Sequence, residues 1–258
     1  MNNTTDIKRT LLILSNHGVN KVNIRSIGKS QTKNEIFSTT EADEILKYIK
    51  RLEKNYNIYT TFNCFDTVEK NTVSDKDIKK IKFILLDIDP ERPSGTTSTD
   101  EQKKEASEVF KKCLNFLSEN EIIYHYTFDS GNGYHALIPV NIEPSKENQT
   151  IIKKFLYLLD SMFSTKTAHV DKSVHNPARI TRFYGTLNIK GIDINPEKCR
   201  YSRFLEDKAN QKENDFNLIK NIVTNYGEKE NEYSIETKRT PYLLVTDPIK
   251  WLKEYSLK

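Results

Sequence analysis

Phe83-Ile84-Leu85-Leu86-Asp87-Ile88-Asp89-Pro90 is the stretch that decides how this chain is read. Four apolar residues run straight into two carboxylates and then a proline. An Ile- and Leu-rich run of this length, with polar residues on either side, predicts a buried strand over 81–89. Residues two apart on a strand point to the same side. Asp87 and Asp89 are therefore expected to stand together at the mouth of a buried sheet. Two like charges so placed disfavour each other unless a cation lies between them. A divalent metal is the simplest such cation, because hard ions prefer carboxylate oxygens.

Outward from this strand, the chain mixes helical and extended patterns. A helix is expected over 5–16 and a strand over 19–27. Thr40 is placed to cap a helix over 41–54, whose residues Ile45, Leu46, Ile49 and Leu52 recur at helical spacing. Ile58 to Phe65 reads as a strand, 66–79 as a polar loop, 90–99 as a second loop, and 100–118 as a helix. Strands at 121–128 and 134–140 flank Asp129-Ser130-Gly131-Asn132-Gly133, and Asn-Gly between apolar runs signals a hairpin. A helix over 147–162 precedes an irregular basic region to about 192. A strand at 199–205, a helix at 212–226, a polar stretch at 227–240 and a helix at 247–256 complete the reading. The class is α/β or α+β. Residues 1–210 are expected to form one core, and 211–258 a C-terminal helical extension.

The 258 residues, 36% hydrophobic and 10% aromatic, suit a globular protein with a sizeable core. No apolar run approaches the roughly 20 residues a membrane helix needs. The polar N-terminus has no signal-peptide core, so a cytoplasmic location and no membrane partner are expected. Cys64, Cys113 and Cys199 are far apart and show no metal-ligand spacing, so reduced thiols and no zinc site are expected. The net charge is +4, yet Lys166 to Arg203 alone holds eight basic residues against three acidic ones. Such clustering fits either a solvated surface or a phosphate-rich ligand.

Three further elements carry chemistry. In Ser130-Gly131-Asn132-Gly133-Tyr134-His135, two glycines let the backbone approach a ligand, while Ser130 and His135 offer donors to phosphate oxygens. An ordinary tight turn with a satisfied histidine is the plain alternative. Val170-Asp171 offers another carboxylate. Asn176 to Gly191 reads NPARITRFYGTLNIKG. Asn176-Pro177 looks like a helix start, which would put Arg179 and Arg182 on one helical face around an anion. Tyr184, beside Arg182, is the aromatic residue expected to stack on a base. Core packing is preferred for Tyr59, Phe62 and Phe65. Arg25 is a candidate contact to nucleotide or template, Asn63 a weaker candidate for sensing the sugar, and His125 is expected to be structural.

D-x-D, then S-G-x-G-x-H some forty residues on, then hydrophobic-Asp, then R-x-x-R-x-x-G-T-x-N-x-K resembles the archaeo-eukaryotic primase superfamily over residues 20–205. The likeness is greatest to primase-polymerases of plasmids, phages and CRISPR-associated systems. It implies a primase catalytic core, with an N-terminal α/β unit and a mainly antiparallel, RRM-like sheet flanked by helices. It also implies template-directed nucleotidyl transfer from (d)NTPs to a 3′ hydroxyl. Asp87, Asp89 and Asp171 would hold two divalent cations, Mn²⁺ or Mg²⁺. Ser130, Gly131 and His135 would grip the triphosphate, with Arg179, Arg182, Asn188 and Lys190 as further contacts. Single-stranded or primed DNA would be the partner of a monomer. Phe183-Tyr184 departs from the relatives, many of which have a hydrophobic residue and a proline before Gly-Thr. The alternatives from the residues are a haloacid-dehalogenase-type phosphatase with Asp87 as nucleophile, and a non-catalytic module binding single strands or nucleotides. Such phosphatases usually carry Gly-Thr after the second Asp, where this chain has Pro90-Glu91-Arg92.

Overall fold

The computed structural model describes residues 3–226 apart from 67, 69, 70, 195 and 209–211. Helix α1 (Asn3–Asn16) leads into β1 (Lys21–Ile27), β2 (Thr32–Ser38), α2 (Ala42–Leu52) and β3 (Asn57–Thr61). In α2 the apolar spacing buries Ile45, Leu46, Ile49 and Leu52. The expected Thr40 cap is not made: Glu41 is the N-cap residue, without a side-chain cap bond. Strand β2 was not legible, because TKNEIFS is largely polar and half-exposed. It forms because β1 offers it a seven-residue antiparallel ladder, Lys21↔Ser38 to Ile27↔Thr32.

The second half begins with β4 (Cys64–Phe65) and β5 (Ile78–Pro90), so the chain breaks at 62–63 where one strand over 58–65 was expected. Then come α3 (Asp100–Glu119), β6 (Tyr126–Asp129), β7 (Tyr134–Ile142) and α4 (Lys146–Phe163). Thr99 caps α3, accepting from Gln102 N while the Gln102 side chain accepts from Thr99 N. The basic region expected to be irregular contains β8 (Ala168–Val170), β9 (Ile180–Arg182) and β10 (Leu187–Asn188). β11 (Arg200–Tyr201), β12 (Arg203–Asp207) and a helix α5 over 216–226 follow. The segment 121–125 stays out of β6, with Glu121 at φ 57°. Helix α5 buries Phe216, Ile219 and Ile222 in the main core. The stretch 227–240 and the helix expected at 247–256 lie outside the described residues.

Among the described residues three sheets result, every pairing antiparallel; the smallest is the pair β10-β11. Of the two larger, one has the order β2-β1-β3-β9. The other has the order β12-β6-β7-β5-β4, with β8 also on β5. β5 is central, and Phe83 to Leu86 are buried on both faces, which is why they read as a continuous apolar run. Helices α3 and α4 meet β8, and α3 also meets β5 and β7. The expected class, a mixed α/β core with a mainly antiparallel sheet flanked by helices, is the one observed. No helix among the described residues is long and apolar enough to cross a membrane.

Candidate active site

Register assembles the site. Asp87 lies opposite His135 of β7, and Ile88 opposite Val170 of β8. The ladder continues one step beyond β8, with Asp171 N donating to Asp87 O at 2.8 Å. Residues directly opposite on antiparallel strands share a face. Asp171, Asp87 and His135 therefore form one row across three strands, and Asp89 stands two residues on along β5. The β5 ladder thus brings Asp171, far away in the chain, beside the D-x-D pair.

Within the row, His135 Nε2 is 3.2 Å from Asp87 Oδ1. The other ring nitrogen, Nδ1, sits 2.9 Å from the Tyr184 hydroxyl and 3.4 Å from Thr181 Oγ1. Asp87 Oδ1 is nonetheless buried without a well-aligned hydrogen-bond donor. Burial alone would raise the Asp87 carboxyl, but the charges of His135, Lys190 and Arg179 outweigh it and hold the group below the ordinary range. Asp89 moves the other way, pushed up by burial and then by the Asp87 charge. A cation shared by the two would favour the charged form of both carboxylates. Arg92 gives Asp89 partial relief, donating to Oδ1 at 3.3 Å while bound to Pro90 O and Thr96 O. Arg92 was not among the expected site residues; its place three residues after Asp89 was the available signal.

An orphaned buried carboxylate oxygen, a raised second carboxyl and an all-oxygen donor set fit a hard divalent cation at Asp87 and Asp89. Among the described residues no three His, Cys, Asp or Glu side chains already converge as a metal-holding group. Asp171 accepts instead from Ser173 N at 2.8 Å and Arg179 at 3.3 Å, so it would have to turn to join the pair.

The hairpin 130–133 closes against this row. Ser130 N donates to Gly133 O, and Ser130 Oγ accepts from Gly133 N, both at 3.0 Å. The left-handed residue is Gly131, φ 95°, the first of the two central positions. That is the glycine placement of a type II′ turn, not of the Asn132-Gly133 turn expected. Gly133 matters sterically, since a Cβ there would lie 2.2 Å from Ile88 O and 2.9 Å from Asp89 Oδ1. Asn188 ties in the next loop, giving its Nδ2 to Ser130 O and accepting from Lys190 N. The Lys190 ammonium makes no ion pair among the described residues and acts electrostatically on both Asp87 and Asp89.

Several expectations are corrected. Arg179 and Arg182 do not share a helical face: Ile180–Arg182 is the strand β9, on which residues three apart point oppositely. Arg182 is buried, donating to Asn57 Oδ1 at 3.1 Å and stacking 4.6 Å over the Tyr59 ring. Tyr184 cannot stack on a base, because it is fully buried and stacked on Phe128 with centroids 3.5 Å apart. The structure makes it the support of His135. Asn63 is buried and bridges Pro177 O to the backbone of Lys82 and Phe83, so its amide serves the fold. Phe62 and Phe65 are core residues. His125 is buried and bonded through Nε2 to Lys212 O.

No family model matches the chain, and no curated protein matches it in sequence. The fold has solved counterparts. One is the crystal structure of primase RepB′, at TM-score 0.52 and 13% identity over 92% of this chain and 67% of that one. Another is the catalytic domain of primase RepB′ in complex with initiator DNA, at TM-score 0.51 and 13% identity over 90% of this chain and 98% of that one. The chain thus has the fold of a primase catalytic domain.

Proposed function

We propose that this protein is a DNA primase-polymerase that joins (d)NTPs to a 3′ hydroxyl on a template strand. The observation that carries the reading is the row Asp171–Asp87–His135, with Asp89 and the unpaired Lys190 beside it, at the strand end of a primase-like fold. Asp87 and Asp89, joined by a turned Asp171, would hold two divalent cations, Mg²⁺ or Mn²⁺. When bound, these ions supply charge stabilisation to the attacking and leaving oxygens of an in-line displacement at phosphorus.

The chain's own residues do the rest. Lys190 presents its ammonium and His135 its ring to the triphosphate, where charge develops on the leaving pyrophosphate. Tyr184 and Thr181 hold the His135 ring in place from behind. Asn188 orients the Lys190 loop. Ser130 keeps the hairpin closed, so that its backbone can approach phosphate oxygens without a side chain intervening. Arg179 shares Asp171 and would pass to phosphate once that carboxylate turns to a cation.

A template face adjoins the site. Asn34, Arg25 and Tyr59 are in register across β2, β1 and β3 and so lie on one face, with Arg182 of β9 buried at its edge against Tyr59. Arg25 Nε, a donor, and Asn34 Oδ1, an acceptor, are both buried there without hydrogen-bond partners. Unmet buried groups cost on the order of 1–3 kcal/mol each, which a nucleobase edge or backbone oxygen would recover. The test is incorporation of labelled dNTP on a primed template with Mn²⁺ or Mg²⁺. Activity is expected in the parent and a loss of at least a thousandfold in Asp87→Ala/Asp89→Ala. An equally active double variant would overturn the reading.

A further inference from the structure

We infer that the reverse face of the six-stranded sheet carries a second binding groove, for a nucleoside phosphate. Arg203, Asp129 and Tyr134 are in register across β12, β6 and β7. Tyr134 precedes His135, so this row lies on the face away from the carboxylates. A groove of about 960 Å³ opens over it, between α3 and the β11–β12 edge. Nucleotide-sized ligands occupy cavities of about 300–1,000 Å³.

The groove has a built floor. Both Asp129 oxygens lie 2.6 Å from Lys103 Nζ, and Gly131 N donates to Oδ1 at 2.8 Å. Lys103 and Asp129 are both buried. With its carboxylate so engaged, Asp129 leaves Arg203 at 3.6 Å, half-exposed and with donors to spare. Lys104 and Lys111 project from one side of α3, and Lys104 makes no ion pair among the described residues. Arg200 and the exposed ring of Tyr201 form the opposite wall. Five cationic side chains line the groove against four carboxylates; Asp129 and Asp100 are closed off by Lys103 and Arg200 at 2.6 Å and Glu108 by Lys111 at 2.8 Å, which leaves Lys104 and the spare donors of Arg203 to face a ligand. Guanidinium and ammonium donors around a cavity suit a phosphate, and a free tyrosine face at its edge suits a base. A mononucleotide and a nucleotide unit of a single strand share this chemistry.

The groove is tied to the front face through the 130–133 hairpin. Asp129 holds Gly131, and the same turn sets Gly133 against Asp89. A phosphate that draws Arg203 away would leave Lys103 and Gly131 as the holders of Asp129, so an occupied groove keeps the turn anchored.

The test uses the full chain carrying Asp87→Asn/Asp89→Asn, in EDTA, with two probes: a fluorescein-labelled dT12 and a fluorescent ATP analogue. Adding Lys104→Glu/Arg203→Ala should weaken binding at least tenfold. Tyr201→Ala should weaken it about threefold. Lys104→Glu alone, at an exposed position, covers the event that the pair disturbs folding, and thermal melts report on that. Binding of the ATP analogue marks a free-nucleotide site, and binding of dT12 alone marks a strand site. Unchanged affinity in every groove variant, or no binding of either probe to the parent, overturns the proposal. Neither result bears on front-face catalysis, which the incorporation assay reads separately.

Discussion

Gly133 shows how little room surrounds the carboxylates. The atoms a Cβ would meet are the Ile88 carbonyl, which is backbone of the central strand, and the Asp89 carboxylate. Neither can give way without moving β5. Gly133→Ala is therefore expected to cost about 1–3 kcal/mol of stability, as overpacking does, and to cut nucleotide incorporation more than tenfold. Chemical denaturation and the primed-template assay check the two parts. Lys103 is the matching case for charge. Its side chain is 10% exposed and that of Asp129 6% exposed. Lys103→Met would leave a buried carboxylate with Gly131 N at 2.8 Å and, as its nearest cation, Arg203 at 3.6 Å, and breaking such a pair costs about 3–5 kcal/mol. A midpoint in urea unchanged from the parent would contradict this account.

At the scale of elements, β9 and the loop after it decide where cations stand. Arg182 is held by Asn57 and Tyr59, and Asn57 Oδ1 also accepts from Ile189 N. Arg182 thus braces the segment that ends in Lys190. Arg182→Met keeps the apolar stem and removes the donors. It is expected to raise the KM for dNTP about tenfold while the melting temperature moves by only a few degrees. A KM unchanged beside a large fall in stability would mark Arg182 as core alone. The β-strand reading of 180–182 was hidden because Asn-Pro resembles a helix start and ITR is too short to show a period. Pairing with β3, residue for residue from Tyr59↔Arg182 to Thr61↔Ile180, decided it. Strand β2 was hidden for a related reason: its stability comes from its neighbour, not from its own pattern. The helices α2, α3 and α4 were legible because each carries its apolar stripe within itself.

Across the whole molecule, the two larger sheets share a core in which His17, Phe83, Phe62 and Tyr126 pack edge to face. His17 packs edge-on to Phe83 at 4.6 Å and approaches the Tyr126 hydroxyl at 3.4 Å. Burial lowers both His17 and the nearby His125 below the usual histidine value, with Glu213 and Lys82 as the charged groups facing His17. In the unfolded chain both titrate near about 6.5. As pH falls below that value, the unfolded state binds protons that the folded rings decline, so stability drops until the lower folded values are reached. Above about 6.5 both rings are neutral in either state and add no slope. Melting temperatures at pH 7.5, 6.5 and 5.5 should fall through the acid step in the parent and fall less in His17→Gln/His125→Gln. An equal fall in both would locate the acid sensitivity elsewhere.

By itself the sequence determined the buried strand that ends in Asp87 and Asp89, the hairpin after it, the amphipathic helices and the ordered set of motifs. Each of these is written in residues close together in the chain, where period and turn chemistry act. Only the tertiary structure decided which side chains meet. It carried Asp171 to Asp87 through the β5 ladder and buried Tyr184 behind His135. It also took Arg182 out of reach of solvent and put Arg92 beside Asp89. Those outcomes depend on strand register and on what covers each face, which are set by pairings between distant segments and leave no local pattern to read.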